Sequence, residues 1–153
     1  DRINMKFEGE DIFLNNKVIT DKIRTSEISK FSSEIAVYPK LRDSILNLQR
    51  SFYHGNGLVA EGRDMTTVVF PNADLKVYLD ASPHERANRR YKQLILKGNN
   101  VNIHDLTSDI EARDKRDKQR KASPLKIADD AKVLNTDDLT IGQTVDKILA
   151  FII

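Results

Sequence analysis

Leu75-Lys76-Val77-Tyr78-Leu79-Asp80-Ala81-Ser82-Pro83-His84-Glu85 is the stretch on which the fold class turns. An apolar run ends at an acid, and a helix start follows at once: Ser82 as cap, Pro83 in the first turn, Glu85 three residues after the cap. A strand that feeds directly into a helix is the repeating unit of an α/β fold.

The same alternation continues on both sides. The helix after Ser82 is expected to run to about Lys97, where Gly98 stops it. A charged helix follows from about Ile103 to Lys121, with Leu106 and Ile110 as its clear apolar anchors. Polar nearly all round, it is expected to project from the core. Lys132-Val133-Leu134 reads as a further strand, and Asp138 as the cap of a last helix whose apolar face is Ile141, Val145, Ile148, Leu149 and Ile152. Upstream, Leu58-Val59-Ala60 reads as a short strand ending at Glu61-Gly62-Arg63-Asp64. Before it, Ile28, Phe31 and Ile35, then Leu41, Ile45, Leu48 and Phe52, recur at helical spacing, and Pro39 divides the two helices. Lys6 to Ile23 alternates short apolar pieces with turn residues, and Asn15-Asn16 between two such pieces predicts a hairpin. The expectation is an α/β domain around a parallel sheet, with a small antiparallel meander packed on it.

The 153 residues hold 25 basic and 23 acidic side chains. A balance this close argues against bulk electrostatic binding of nucleic acid, which takes a strong basic excess. Apolar runs of a few residues exclude a membrane-spanning helix, and Asp1-Arg2-Ile3-Asn4 does not read as a secretory signal. With no cysteine there are no disulfides and no thiolate zinc sites, and a cytoplasmic setting fits these features. The first Met stands at position 5, so a tag remnant, a processed end or a truncation is expected at the amino end.

The basic residues are concentrated locally. Arg86, Arg89 and Arg90 form one cluster, and Arg113, Arg116 and Arg120 another. Grouped arginines in a balanced protein point to a compact anion such as a nucleotide phosphate. Arg113, Asp117 and Arg120 are spaced i, i+4, i+7 and share one helix face, which is either a solvated ion-paired surface or a lid that closes over phosphates. Glu61-Gly62 after an apolar run has the form of a strand end whose acid holds Mg²⁺ through water, although plain turns have that form too.

Taken in order, Tyr38-Pro39-Lys40-Leu41-Arg42, Glu61-Gly62-Arg63-Asp64-Met65, Val68-Val69-Phe70-Pro71, Leu79-Asp80-Ala81-Ser82, Glu85-Arg86-Ala87 with Arg89-Arg90, and Arg113-Asp114 through Arg120 resemble the bacterial cytidylate kinases over essentially the whole chain. The resemblance implies a P-loop nucleoside-monophosphate-kinase fold that transfers a phosphoryl group from ATP with Mg²⁺ to CMP or dCMP. It makes residues 1–56 the remainder of the monophosphate-binding domain, with the meander at about 6–23. Residues 57–153 become the carboxyl-terminal part of the core, with a charged lid at about 85–122. Ser33, Arg42 and Asp64 fall on the family's cytosine-recognising positions, where Asp64 accepts from the base's amino group while Arg42 and Ser33 donate to N3 and O2. Arg63 and Arg120 fall on positions that hold the acceptor phosphate, Arg113 and Asp117 on positions that reach the sugar, and Arg89 and Arg90 on the ATP side. Arg86 is left to pair with a neighbouring carboxylate.

One departure from the family is plain. No Gly-x-x-x-x-Gly-Lys-Ser/Thr loop occurs in the sequence. The expectation is that roughly the first third of the family's fold, with that loop, precedes Asp1. On that expectation the chain alone is inactive, and an open sheet edge invites self-association where the parent is a monomer. The rival readings are a kinase for another monophosphate such as UMP and a non-catalytic nucleotide- or partner-binding module. Scattered His54, His84 and His104 lack metal-ligand spacing, and Asp129-Asp130 reads as a solvated turn.

Overall fold

In the computed structural model, which describes residues 3–152, two sheets and five α-helices frame the chain. Strands β1 (Met5–Glu8), β2 (Asp11–Leu14) and β3 (Lys17–Val18) form the expected antiparallel meander. Its second turn is Asn15-Asn16, with φ of 49° and 63°, the left-handed pair that a two-residue hairpin matching the strand twist requires. The meander is attached to the body through Phe7, whose ring meets Phe52 edge to face at 5.1 Å.

Helices α1 (Ser26–Ile35) and α2 (Pro39–Arg50) follow, divided at Pro39 as the sequence predicts. The Thr25 hydroxyl caps α1 by accepting from the Ile28 amide. Beyond α2 the expected strand at Leu58-Val59-Ala60 is not formed. These residues pair with no strand among the described residues and Val59 stands fully exposed. Apolar content alone does not make a strand; a ladder partner must satisfy its backbone.

The parallel sheet consists of β4 (Val77–Asp80) and β5 (Lys132–Asn135), in register Val77 with Lys132 through Asp80 with Asn135. Between them run α3 (Pro83–Leu96) and α4 (Ile103–Gln119). Ser82 caps α3 by accepting from the Glu85 amide, and the chain leaves it through Gly98 at φ +76°. Helix α4 does not project. It packs along α3 and against α1, and buries Leu106 and Asp117. The expectation failed because it counted apolar anchors only, whereas the inward face of α4 is anchored by a carboxylate. The last helix, α5 (Ile141–Leu149), is capped by Thr140 rather than Asp138: Thr140 and Gln143 form a reciprocal capping box, which Asp138 lies too far upstream to make. Asp129-Asp130 forms the expected exposed turn, and from it Asp130 also takes both bonds of the buried Lys76 ammonium, at 2.7 and 2.9 Å.

Candidate functional site: an arginine-lined pocket

Three elements converge on one pocket. Helix α1 supplies Ser33, α2 supplies Arg42, and α4 supplies Arg113, Asp117 and Arg120, the last at its C-cap. The segment after the missing strand supplies Arg63 and Asp64. Asp64 is held by a π-helical turn, Met65–Val69, in which its carbonyl accepts from the amides of Thr67, Val68 and Val69. Single π turns of this kind are frequent at functional sites. Arg50, from the end of α2, donates to the carbonyls of Val68 and Val69 at 2.9 Å each, tying that turn to the helix.

Asp117 is the centre of the arrangement, 1% exposed. Its Oδ1 accepts from the Ser33 hydroxyl at 3.3 Å and lies 3.5 Å from Arg120 Nη1. Its Oδ2 stands 3.6 Å from both Arg63 Nε and Arg113 Nε, an ion-pair distance too long for a hydrogen bond. Ser33 also accepts from Arg116 Nε at 3.4 Å. Arg113 donates to the Ser29 hydroxyl at 2.7 Å and Arg120 to the Ser123 carbonyl at 2.8 Å. Arg42 pairs directly with Asp64 and reaches the Ala36 carbonyl at 3.4 Å. Arg86 finds the carboxylate partner the sequence left it, Asp114, which lies outside the pocket lining and accepts from Arg63 Nη1 at 3.0 Å through one oxygen and from Arg86 Nη2 at 2.6 Å through the other. The Arg-Asp spacing was visible, but which arginines Asp114 meets depends on α3 and the loop before the π turn.

Cations are in excess here. Burial, then the neighbouring Arg63 guanidinium, pulls the pKa of Arg113 below its ordinary value. Burial, then Arg42, does the same to Arg120. For Asp114, burial alone would raise the carboxyl pKa, but the hydrogen bonds from Arg86 and Arg63 outweigh it and hold the group below its ordinary range. Among the described residues four buried polar atoms lack a hydrogen-bond partner: the donors Arg42 Nε, Arg113 Nε and Arg120 Nη2, and the acceptor Asp117 Oδ2, which faces Arg113 Nε at 3.6 Å. All four belong to residues lining the same pocket of ≈ 200 Å³. Unsatisfied buried groups are costly and uncommon, and their convergence on one cavity marks the chemistry of its occupant. Three of the four atoms are donors that call for acceptors, and one is a carboxylate oxygen that calls for a donor.

A model of the cytidylate kinase family matches residues 1–153. The chain belongs to the cytidylate kinase family. Among curated relatives it is 49% identical over 148 residues to the cytidylate kinase of Cupriavidus pinatubonensis, covering 97% of this chain and 67% of that protein. It is 50% identical over 148 residues to the cytidylate kinase of Cupriavidus necator, with the same coverage, and 46% identical over 146 residues to that of Pasteurella multocida, covering 95% of this chain and 64% of that one. The chain thus spans about two thirds of the length of these cytidylate kinases.

The family membership carries with it an α/β nucleoside-monophosphate-kinase fold, and the parallel pair β4–β5 with its helices accords with it. Of the residues singled out in the sequence, Ser33, Arg42, Arg63, Asp64, Arg113, Asp117 and Arg120 line the one pocket. Arg89 and Arg90 do not: Arg89 bonds Glu85 and Thr136, beside the end of β5, and Arg90 donates to the Arg24 carbonyl at 2.7 Å. Glu61 is exposed on the rim of a separate apolar groove between the meander and α2. No group of three acidic, His or Cys side chains that could hold a metal occurs among the described residues. Mg²⁺ in phosphoryl-transfer sites is held by one or two carboxylates together with substrate phosphates, and Glu61 stands outside the arginine pocket. No helix among the described residues is long and apolar enough to cross a membrane.

Proposed function

We propose that the arginine pocket is the acceptor site of a (d)CMP kinase, in which ATP with Mg²⁺ gives its terminal phosphoryl group to an oxygen of the CMP or dCMP phosphate, leaving ADP and CDP or dCDP. The observation that carries this reading is the set of four orphaned polar atoms around one small cavity. A nucleoside monophosphate supplies what each lacks. Its phosphate accepts from Arg120, the ribose accepts from Arg113 Nε and donates a hydroxyl to Asp117 Oδ2, and the base accepts from Arg42.

Cytosine rather than uracil follows from Asp64. A buried carboxylate accepts from the amino group of cytosine, while uracil would set a carbonyl oxygen against it and leave both unpaired. The contribution of these residues is binding, orientation and charge neutralisation, the terms that dominate phosphoryl transfer. Helix α4 carries two of the arginines that face the acceptor, Arg113 and, at its C-cap, Arg120. Because the 153 residues contain no glycine-rich phosphate loop, we expect this chain by itself to bind the acceptor without turnover.

Calorimetric titration of the chain and of Asp64→Ala with CMP and UMP tests the assignment. CMP is expected to bind the unaltered chain more tightly than UMP. The substitution is expected to weaken CMP by at least about tenfold more than UMP, the scale of a charge-assisted hydrogen bond. Equal losses for the two nucleotides would sink the cytosine assignment.

A further inference from the structure

We infer that Asp114 and Arg86 are positioning residues that aim Arg63 at the acceptor's phosphate, an inference that rests on the acceptor-site reading above. Arg63 lines the pocket, whereas neither Asp114 nor Arg86 does. Asp114 spends one carboxylate oxygen on Arg63 Nη1 at 3.0 Å and the other on Arg86 Nη2 at 2.6 Å. Arg86 is fixed in turn, because its Nε donates to the Ala81 carbonyl at 3.0 Å, just beyond the end of β4. A relay of charge-assisted bonds thus runs from the backbone after the sheet, through α3 and α4, to a guanidinium in the pocket wall.

The geometry assigns Asp114 this role rather than that of a counter-ion which the ligand displaces. Both of its oxygens are engaged, and it stands behind the wall rather than in the cavity. The bond to Arg63 occupies Nη1, and Nε lies 3.6 Å from Asp117. That leaves Nη2 with no hydrogen bond among the described residues, free to meet an incoming anion. An arginine side chain with several free torsions pays a large ordering entropy when it binds, and a carboxylate that holds its rotamer beforehand removes much of that cost. The low pKa of Asp114, which its two arginine partners maintain against burial, keeps the relay charged through the neutral range.

The test separates the phosphate's share of binding from the rest. The dissociation constants of cytidine and of CMP are measured on the unaltered chain, on Asp114→Asn, on Arg86→Gln and on the double variant. The unaltered chain is expected to favour CMP over cytidine. Each single substitution is expected to cut that preference by about tenfold while leaving the affinity for cytidine unchanged, and the double to cut it no further, since the residues act in series. Arg86→Gln keeps the carboxylate in place and serves if Asp114→Asn folds poorly. Parallel losses for cytidine and CMP would reveal a merely structural role and overturn the inference. Tighter CMP binding by Asp114→Asn would also overturn it, by showing a counter-ion that the phosphate displaces. No preference for CMP in the unaltered chain would overturn the acceptor-site reading and this inference with it, whereas a preference that survives both substitutions defeats this inference alone.

Discussion

At the scale of single residues, the interior is organised by a carboxylate. Asp117 is the largest fully buried side chain among the described residues, and three guanidiniums and a hydroxyl surround it. A buried ion of this kind is stable only with its partners, and removing one leaves the others uncompensated. Asp117→Asn strands three buried or half-buried cations near a neutral amide. It is therefore expected to lower the unfolding free energy by about 3–5 kcal/mol in urea titrations. A loss under about 1 kcal/mol would show that solvent reaches these arginines far more than the structure implies. Its neighbours Arg63, Arg113 and Arg120 bear the complementary excess of charge, which the anionic acceptor proposed above would relieve.

Elements carry the site because their ends are well defined. Ser82 and Pro83 start α3 where β4 stops, so Arg86 is delivered one turn later against the Ala81 carbonyl. Asn102 caps α4 by accepting from the His104 amide, and from there the i, i+4 and i+7 spacing brings Arg113, Asp117 and Arg120 onto the face that meets α1. Helix α5 offers the cleanest test of how such ends are specified. With the capping box at Thr140 and Gln143, Thr140→Ala is expected to cost about 1 kcal/mol. Asp138→Ala is expected to stay within about 0.5 kcal/mol. Thermal or chemical unfolding of the two variants decides between them, and the reverse ranking would return the cap to Asp138.

Across the whole molecule, apolar surface is left open in several places. Both strands of the parallel sheet have one unpaired edge among the described residues, and Leu79 and Val133 on them are exposed. Val59, Ile141 and Ile152 are exposed as well, and an apolar groove of ≈ 890 Å³ opens between the meander and α2. Open strand edges and apolar patches of this extent favour association. We expect light scattering on the 153-residue chain to give a mass that climbs above 17.5 kDa with concentration. A constant mass of 17.5 kDa would show that these surfaces do not pair.

Much of this was legible in the amino-acid order. The hairpin at Asn15-Asn16, the break at Pro39, the start of α3 at Ser82 and its stop at Gly98 are local events, decided within a few residues by which φ values and hydrogen-bond partners a side chain permits. Seven of the pocket residues were also named from the sequence, because the motifs that hold them are distinctive over short windows. What only the tertiary structure decided is which charges meet. Ser33 and Asp117 are 84 positions apart, and Arg63 and Asp114 are 51 apart. The same holds for Leu58-Val59-Ala60, whose apolar sequence reads as a strand yet has none to pair with among the described residues. A turn or a cap satisfies its own backbone and can be read in place. A strand ladder or a buried ion pair is completed by a distant partner, and only folding brings that partner within reach.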